Sequence, residues 1–204
     1  VLAIVDYGMA NLRSVEKAFA AVGSRAQIIT TPEQVRQADH LVMPGVGAFR
    51  DAIATLNKTG LADAIRDFVK TGKPFLGICL GLQLLMDKGY EDGQHDGLGI
   101  IAGDCVRFTV DQEPGRLKVP HMGWNALRWE KPVPLFDKLP QESYVYFVHS
   151  YHVRPRDPSV VAGTADYGGR FVAAIWKDNV TATQFHPEKS QAVGLRMLSN
   201  FATV

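Results

Sequence analysis

The chain has 204 residues, 46% of them hydrophobic, with 22 Lys and Arg against 21 Asp and Glu for a net charge of +1. That length suits one α/β domain over residues 1–204 with an ample core, and the balanced charge leaves no electrostatic footprint for nucleic acid or an anionic membrane. Two cysteines are too few for a disulfide framework and suit a reducing cytoplasm, and no apolar run approaches the roughly 18 to 20 residues of a membrane helix.

In chain order, Leu2 to Val5 reads as a buried first strand, not a signal segment, because its hydrophobicity is continuous and lacks a basic leader. Asp6-Tyr7-Gly8 turns the chain into a helix that carries Leu12, Val15, Ala18, Phe19 and Val22 on one face and stops at Gly23. A strand follows at Ala26 to Ile29. Pro32 to Ala38 is expected to be a helical turn capped by Thr30 or Thr31. A short strand, His40 to Met43, runs into the glycine-bearing loop Pro44-Gly45-Val46-Gly47-Ala48-Phe49, placed where open parallel sheets hold ligands. With no G-x-G-x-x-G and no Gly-Lys-Ser/Thr, this loop is not a phosphate cradle.

Helices at Phe49 to Asn57 and Leu61 to Thr71 lead to a short apolar strand, Cys79, and a helical pattern through Leu80, Leu84 and Leu85 to Met86. The alternation predicts a doubly wound, mostly parallel central sheet flanked by helices. Tyr90 to Gly97 reads as a loop. Strands are then expected at Ile100–Phe108, Leu117–Trp129, Ser143–Val153, Val160–Thr164, Phe171–Trp176 and Val180–Gln184. Turn clusters Gln112-Glu113-Pro114-Gly115 and Tyr167-Gly168-Gly169-Arg170 separate them, and a helix over Gln191–Val204 closes the chain. The second half is thus β-rich and laid against the sheet.

Gly77-Ile78-Cys79-Leu80-Gly81 has the spacing of a nucleophile elbow with sulfur in place of a serine oxygen, its glycines relieving crowding at a strand-to-helix reversal. The following helix terminus favours a thiolate, and the Leu80 N–H is placed as an oxyanion donor. A lone cysteine in apolar company is equally often a small buried hydrophobe. A second signal tips the balance: Phe185-His186-Pro187-Glu188-Lys189 follows a strand, and His186 with Glu188 two residues on supplies a base and a group to orient it. In an extended segment such residues share a side. His40, His95 and His152 lack such partners and read as surface or packing residues, Cys105 as core. No spacing suggests a metal.

Together these motifs resemble the class I, triad glutamine amidotransferases, whose fold is flavodoxin-like. Further runs, Asp6-Tyr7-Gly8-Met9-Ala10-Asn11-Leu12-Arg13-Ser14-Val15, Pro44 to Phe49, Pro120-His121-Met122-Gly123-Trp124-Asn125 and His149-Ser150-Tyr151, are similar to the glutaminase subunits of imidazole glycerol phosphate synthase. Met9-Ala10 departs from the smaller residues usual there, at no catalytic position.

The resemblance implies L-glutamine hydrolysis by Cys79, His186 and Glu188 without a cofactor. The oxyanion would be held by Leu80 and by the strand of Val46 and Gly47, and the glutamine pocket lined by Gly45, Gly47, Gln83, His149, Ser150 and Tyr151. It further implies delivery of ammonia to a (β/α)₈-barrel cyclase making imidazole glycerol phosphate and aminoimidazole carboxamide ribotide in histidine biosynthesis, in a heterodimer. Asn11, Met122, Trp124, Tyr146 and Lys189 would face that partner, in keeping with their aromatic, basic composition. The glycines of Gly45-Val46-Gly47 would let a peptide flip assemble the oxyanion hole only when the partner is loaded. A class I glutaminase of another synthase, a related cysteine peptidase or γ-glutamyl hydrolase, and a non-catalytic scaffold are the alternatives.

Overall fold

The computed structural model describes residues 1–112 and 117–204. The expected Gln112 to Gly115 turn therefore falls, beyond Gln112, outside the described residues. The first half of the chain alternates: β1 (Leu2–Val5), α1 (Leu12–Ala21), β2 (Ala26–Ile29), α2 (Pro32–Gln37), β3 (His40–Gly45), α3 (Phe49–Thr59), α4 (Leu61–Lys70) and β4 (Phe75–Cys79). The local chemistry explains the boundaries. Gly23 ends α1 at φ +79°, where its N–H and that of Ser24 satisfy the last carbonyls of Ala20 and Phe19. Thr31 and Gln34 close a capping box on α2, with Pro32 at the first helical position.

After β4 the chain departs from expectation. The helical pattern Leu80 to Met86 yields only one turn, α5 (Leu80–Gln83), before β5 (Met86–Gly89). Every residue from Leu80 to Met86 is buried, so no exposed face marks a helical period and the pattern does not determine the helix length. The polar loop expected from Tyr90 includes a two-residue strand, β6 (His95–Asp96), pairing with β5. β7 (Ile101–Arg107), β8 (His121–Trp129), β9 (Glu142–His149), β10 (Tyr151–Pro155), β11 (Val161–Asp166), β12 (Arg170–Lys177) and β13 (Val180–Thr183) follow, then α6 (Gln191–Ala202). The strand expected over Ser143–Val153 is two strands, broken at Ser150.

The thirteen described strands form one branched sheet, ordered β2-β1-β3-β4-β13-β12-β10-β7-β5-β6, with β11, β8 and β9 branching from β12. The central five, β2 to β13 in that order, are all parallel. Most of the second half joins this sheet edge to edge, while the β11-β8-β9 branch folds back and packs over one face. Side chains alternate accordingly. Ala3, Val5, Leu41 and Met43 pack with Val35, Ile53, Leu56, Ile65 and Phe68 of α2, α3 and α4. Ile4, Val42, Leu76 and Ile78 pack with Phe19, Leu198 and Phe201 of α1 and α6 and with Leu127, Val145 and Phe147 of the branch. Each large side chain buried this way contributes about 1.5–3 kcal/mol. The carboxyl ends of β3, β4 and β13 therefore emerge side by side, with Gly45 opposite Cys79 and Thr183 opposite Ile78. Among the described residues no helix is long and apolar enough to cross a membrane.

Candidate active site

Cys79 closes β4 with φ +54° and ψ −107°, a conformation costing a non-glycine residue about 1–3 kcal/mol. Packing sustains it. A Cβ on Gly81 would lie 1.9 Å from the Met43 carbonyl oxygen of β3, so only glycine lets α5 press against the sheet directly behind the cysteine. Leu80 opens α5 immediately after Cys79.

From the neighbouring strand, β13, the chain runs through Gln184 and Phe185 to His186. The His186 backbone is pinned on both sides: its N–H donates to the Tyr146 carbonyl at 2.9 Å, and its carbonyl accepts from Ser190 Oγ at 2.6 Å. His186 Nδ1 lies 2.8 Å from Glu188 Oε1, with side chains only 2% and 3% exposed. The contact arises differently from the expected extended pair, because His186 is extended but Pro187–Lys189 is a 3-10 turn. Nε2 of His186 and Oε2 of Glu188 are buried with no atom at full hydrogen-bond geometry among the described residues. Burial alone would disfavour the imidazolium. The charge of Cys79 and the approach of its sulfur to the ring, followed by the hydrogen bond and charge of Glu188, outweigh it and raise His186 to about 10.

Cys79 opens on a cavity of about 530 Å³ whose walls also include Val46, Gly47, Gln83, His149, Ser150 and Tyr151, while His186 and Glu188 are not on its described walls. Another cavity of about 500 Å³, between Trp129, Phe136 and Asn200, has neither cysteine nor histidine on its described walls. Two residues of the site escaped the sequence argument. Glu91 is the only carboxylate among the described residues lining the first cavity, and its Oε2 accepts from the Phe49 N–H at 2.7 Å. It sits in the polar Tyr90 to Gly97 loop, where nothing local distinguishes it from a solvated charge. Gln184, fully buried, donates from Nε2 to Cys79 Sγ at 3.6 Å. Its position two residues before His186 was the available signal.

The Gly45-Val46-Gly47 segment is held from the Asp6 to Asn11 loop. The Tyr7 hydroxyl donates to the Pro44 carbonyl at 2.8 Å, and the Val46 N–H to the Met9 carbonyl at 2.7 Å. Burial first, and then the charge of Cys79, push the Tyr7 hydroxyl far above its ordinary pKa, so it stays a donor. Met9 was expected to be remote from the chemistry. It instead holds the amide assigned to the oxyanion hole, and its Cε would lie 2.8 Å from a Cβ on Gly47.

His121 and His149 face each other as register partners on β8 and β9, with 2.9 Å between Nδ1 and Nε2. The Tyr151 carbonyl accepts from His149 Nδ1 at 2.8 Å, which fixes both tautomers: His149 accepts at Nε2 from His121 Nδ1, and Asn125 donates to His121 Nε2 at 3.2 Å. Burial lowers them to about 4 for His121 and about 3 for His149. His40 and His152 pack against Phe201 and Phe108, His95 bonds the Asp92 carbonyl, and Cys105 is buried, its thiol pushed up first by burial. No cluster of three or more metal-ligating side chains occurs among the described residues.

Met122 is 62% and Trp124 47% exposed on β8. The Trp124 ring meets Tyr146 edge-on at 6.1 Å, and Lys189 Nζ lies 5.9 Å from the Tyr146 ring centre. Asn11 is exposed ahead of α1, which packs against the Pro187–Lys189 turn, so the five residues expected at an interface lie around the triad rather than scattered.

The sequence matches the family model for class-I glutamine amidotransferases over residues 3–204. It is 58% identical over 203 residues to imidazole glycerol phosphate synthase subunit HisH of Syntrophotalea carbinolica, covering 98% of each chain. For the subunit of the same name from Rhodopirellula baltica the identity is 52%, covering 100% of this chain and 97% of that one. Among solved structures, PurLQS from Thermotoga maritima superposes with a TM-score of 0.79 over 99% of this chain and 97% of the other, at 16% identity. A structure described as a glutamine amidotransferase gives 0.75 over the full length of both, at 20% identity. The structural likenesses speak to the fold.

Proposed function

Because this chain belongs to the class-I glutamine amidotransferase family, and within it to the HisH subunits of imidazole glycerol phosphate synthase, we propose that Cys79, His186 and Glu188 hydrolyse glutamine to glutamate and ammonia. One observation carries this reading: a strained cysteine on the wall of a cavity closes one parallel strand, and the next strand leads into a buried His-Glu couple whose ring responds to the charge of that cysteine. Cys79 sulfur attacks the side-chain amide carbon, and the proton it gives up reaches the leaving nitrogen through His186, releasing ammonia and a thioester. Water, deprotonated by His186, cleaves the thioester to glutamate and the free thiol. Glu188 holds the imidazole's tautomer.

The pocket suits an amino acid. Glu91 offers a negative charge to an α-ammonium, and Gln83, Ser150, Tyr151 and Gly47 surround the remainder. Leu80 and Val46 N–H groups would hold the oxyanion, each donor being worth on the order of 3 kcal/mol. The Val46 N–H is engaged by Met9 instead, which supports a gated hole: the Gly45-Val46 peptide must turn before full activity. The Asp6 to Asn11 loop carries both Met9 and Asn11, so a partner seated on Asn11, Met122, Trp124, Tyr146 and Lys189 has a lever on that peptide.

The partner is a (β/α)₈-barrel cyclase subunit that receives the ammonia and forms imidazole glycerol phosphate, in an assembly that is a lyase in histidine biosynthesis. Two free, buried cysteines suit a cytoplasmic enzyme. Residues 1–204 act as one amidotransferase unit, a reading supported by two cores on opposite faces of one sheet.

Ammonia release is the test, measured for the isolated chain and for its complex with the cyclase and the substrate nucleotide, with Cys79→Ala as the blank. Activation in the loaded complex that vanishes in the blank is expected. Equal rates with and without the loaded partner would overturn the gate, and activity in the blank would overturn the nucleophile.

A further inference from the structure

Gln184 lies past the end of β13 with no solvent exposure, so both ends of its amide need partners inside the protein. The neighbouring groups decide which end goes where. The Tyr151 carbonyl can only accept, and Gln83 Nε2 donates to it at 3.1 Å. The second hydrogen on that nitrogen meets Gln184 Oε1 at 3.2 Å. With its oxygen committed to Gln83, Gln184 must turn Nε2 toward Cys79 Sγ, 3.6 Å away. The sulfur also faces the Val148 carbonyl at 3.9 Å, an acceptor that suits the protonated thiol and opposes the thiolate.

We propose that Gln184 is a further catalytic residue, donating a hydrogen bond from its side-chain amide to the Cys79 sulfur and favouring the thiolate. Gln83 and the Tyr151 carbonyl are the positioning groups that keep the nitrogen, and not the oxygen, against the sulfur. A donor at this point strengthens as negative charge forms, and it offsets the Val148 carbonyl. The inference rests on Cys79 being the nucleophile.

The test is the pH dependence of Cys79 alkylation by iodoacetamide in the folded chain, which needs neither glutamine nor an oxyanion hole and so can fail or succeed independently of the glutaminase reading. Cys79→Ala supplies the blank for Cys105. Gln184→Met, which keeps the length and removes the donor, is expected to raise the midpoint by about one pH unit, and Gln184→Glu, which sets an acceptor against the sulfur, by more. In the same variants kcat for glutamine at neutral pH is expected to fall about ten-fold, with little change in KM. An unmoved midpoint in Gln184→Met, even with a lower kcat, would reduce Gln184 to packing. If neither variant folds, the ¹⁵N resonance of the Gln184 side-chain amide in the parent decides: it must shift with the alkylation midpoint, and a resonance constant across that range overturns the proposal.

Discussion

Replacing His121 and His149 together isolates a contribution to stability that the structure makes strongly pH-dependent. Both rings are buried and neutral, held to about 4 and about 3 in the folded chain, while an unfolded histidine titrates at its ordinary 6.5. A lowered folded value means the unfolded chain takes up protons first. The contribution is therefore complete above about pH 6.5 and is lost as pH falls toward 4 and then 3. At pH 5 each histidine lies about 1.5 units below its unfolded midpoint, which costs on the order of 2 kcal/mol apiece and about 4 kcal/mol together. His186, raised rather than lowered, contributes its full stabilisation below about pH 6.5 and loses it as pH rises toward 10, but it is common to parent and variant and cancels in the comparison. His152, also lowered by burial, is unchanged by the replacement. The double variant His121→Phe, His149→Leu leaves few orphans: the Tyr151 carbonyl keeps Gln83, Asn125 keeps the Asp166 carbonyl at 2.7 Å, and a phenyl fits where His121 stacks on Phe147 and Tyr167. Urea unfolding at pH 7.5 and pH 5 should show the parent losing about 4 kcal/mol more than the variant over that interval. Equal losses would mean that the pair is not held neutral and would refute the argument.

Glu188→Gln removes the charge that orients and stabilises the His186 cation while preserving shape; kcat for glutamine is expected to fall by about 10² to 10⁴ with KM little changed, and a kcat within two-fold of the parent's would remove Glu188 from the mechanism. Gly81→Ala drives a methyl into the Met43 carbonyl at 1.9 Å, backbone against backbone. A loss of about 3 kcal/mol in chemical denaturation is expected, and an unchanged midpoint would show that the elbow has room to spare. Trp124→Ala should weaken cyclase binding at least about ten-fold in calorimetry, because the ring is exposed and backed by Tyr146; parental affinity would take it off the interface.

The sequence by itself determined the elements whose signals are local. Continuous apolar strands, Gly23 behind α1, the Thr31 cap with Pro32 on α2, and the glycines two residues either side of Cys79 act through backbone geometry within a few residues, so pattern suffices. The proposed triad, Cys79, His186 and Glu188, was likewise legible in chemical type and in the short spacing from Gly77 to Gly81 and from His186 to Glu188. Tertiary structure decided what local pattern cannot carry. The end of α5 after one turn was not legible because every residue from Leu80 to Met86 is buried, which erases the periodicity that would mark it. The strand read across Ser150 breaks there, and the Ser150 carbonyl accepts from the Phe108 N–H at 3.0 Å. Gln184 reaches the Cys79 sulfur, Glu91 the cavity wall and Met9 the Val46 N–H only because strands and loops distant in sequence end together at this edge of the sheet. Their roles rest on who their partners are, a single hydrogen in Gln83 deciding which end of Gln184 meets Cys79, and such partners are chosen by packing in three dimensions rather than by neighbours along the chain.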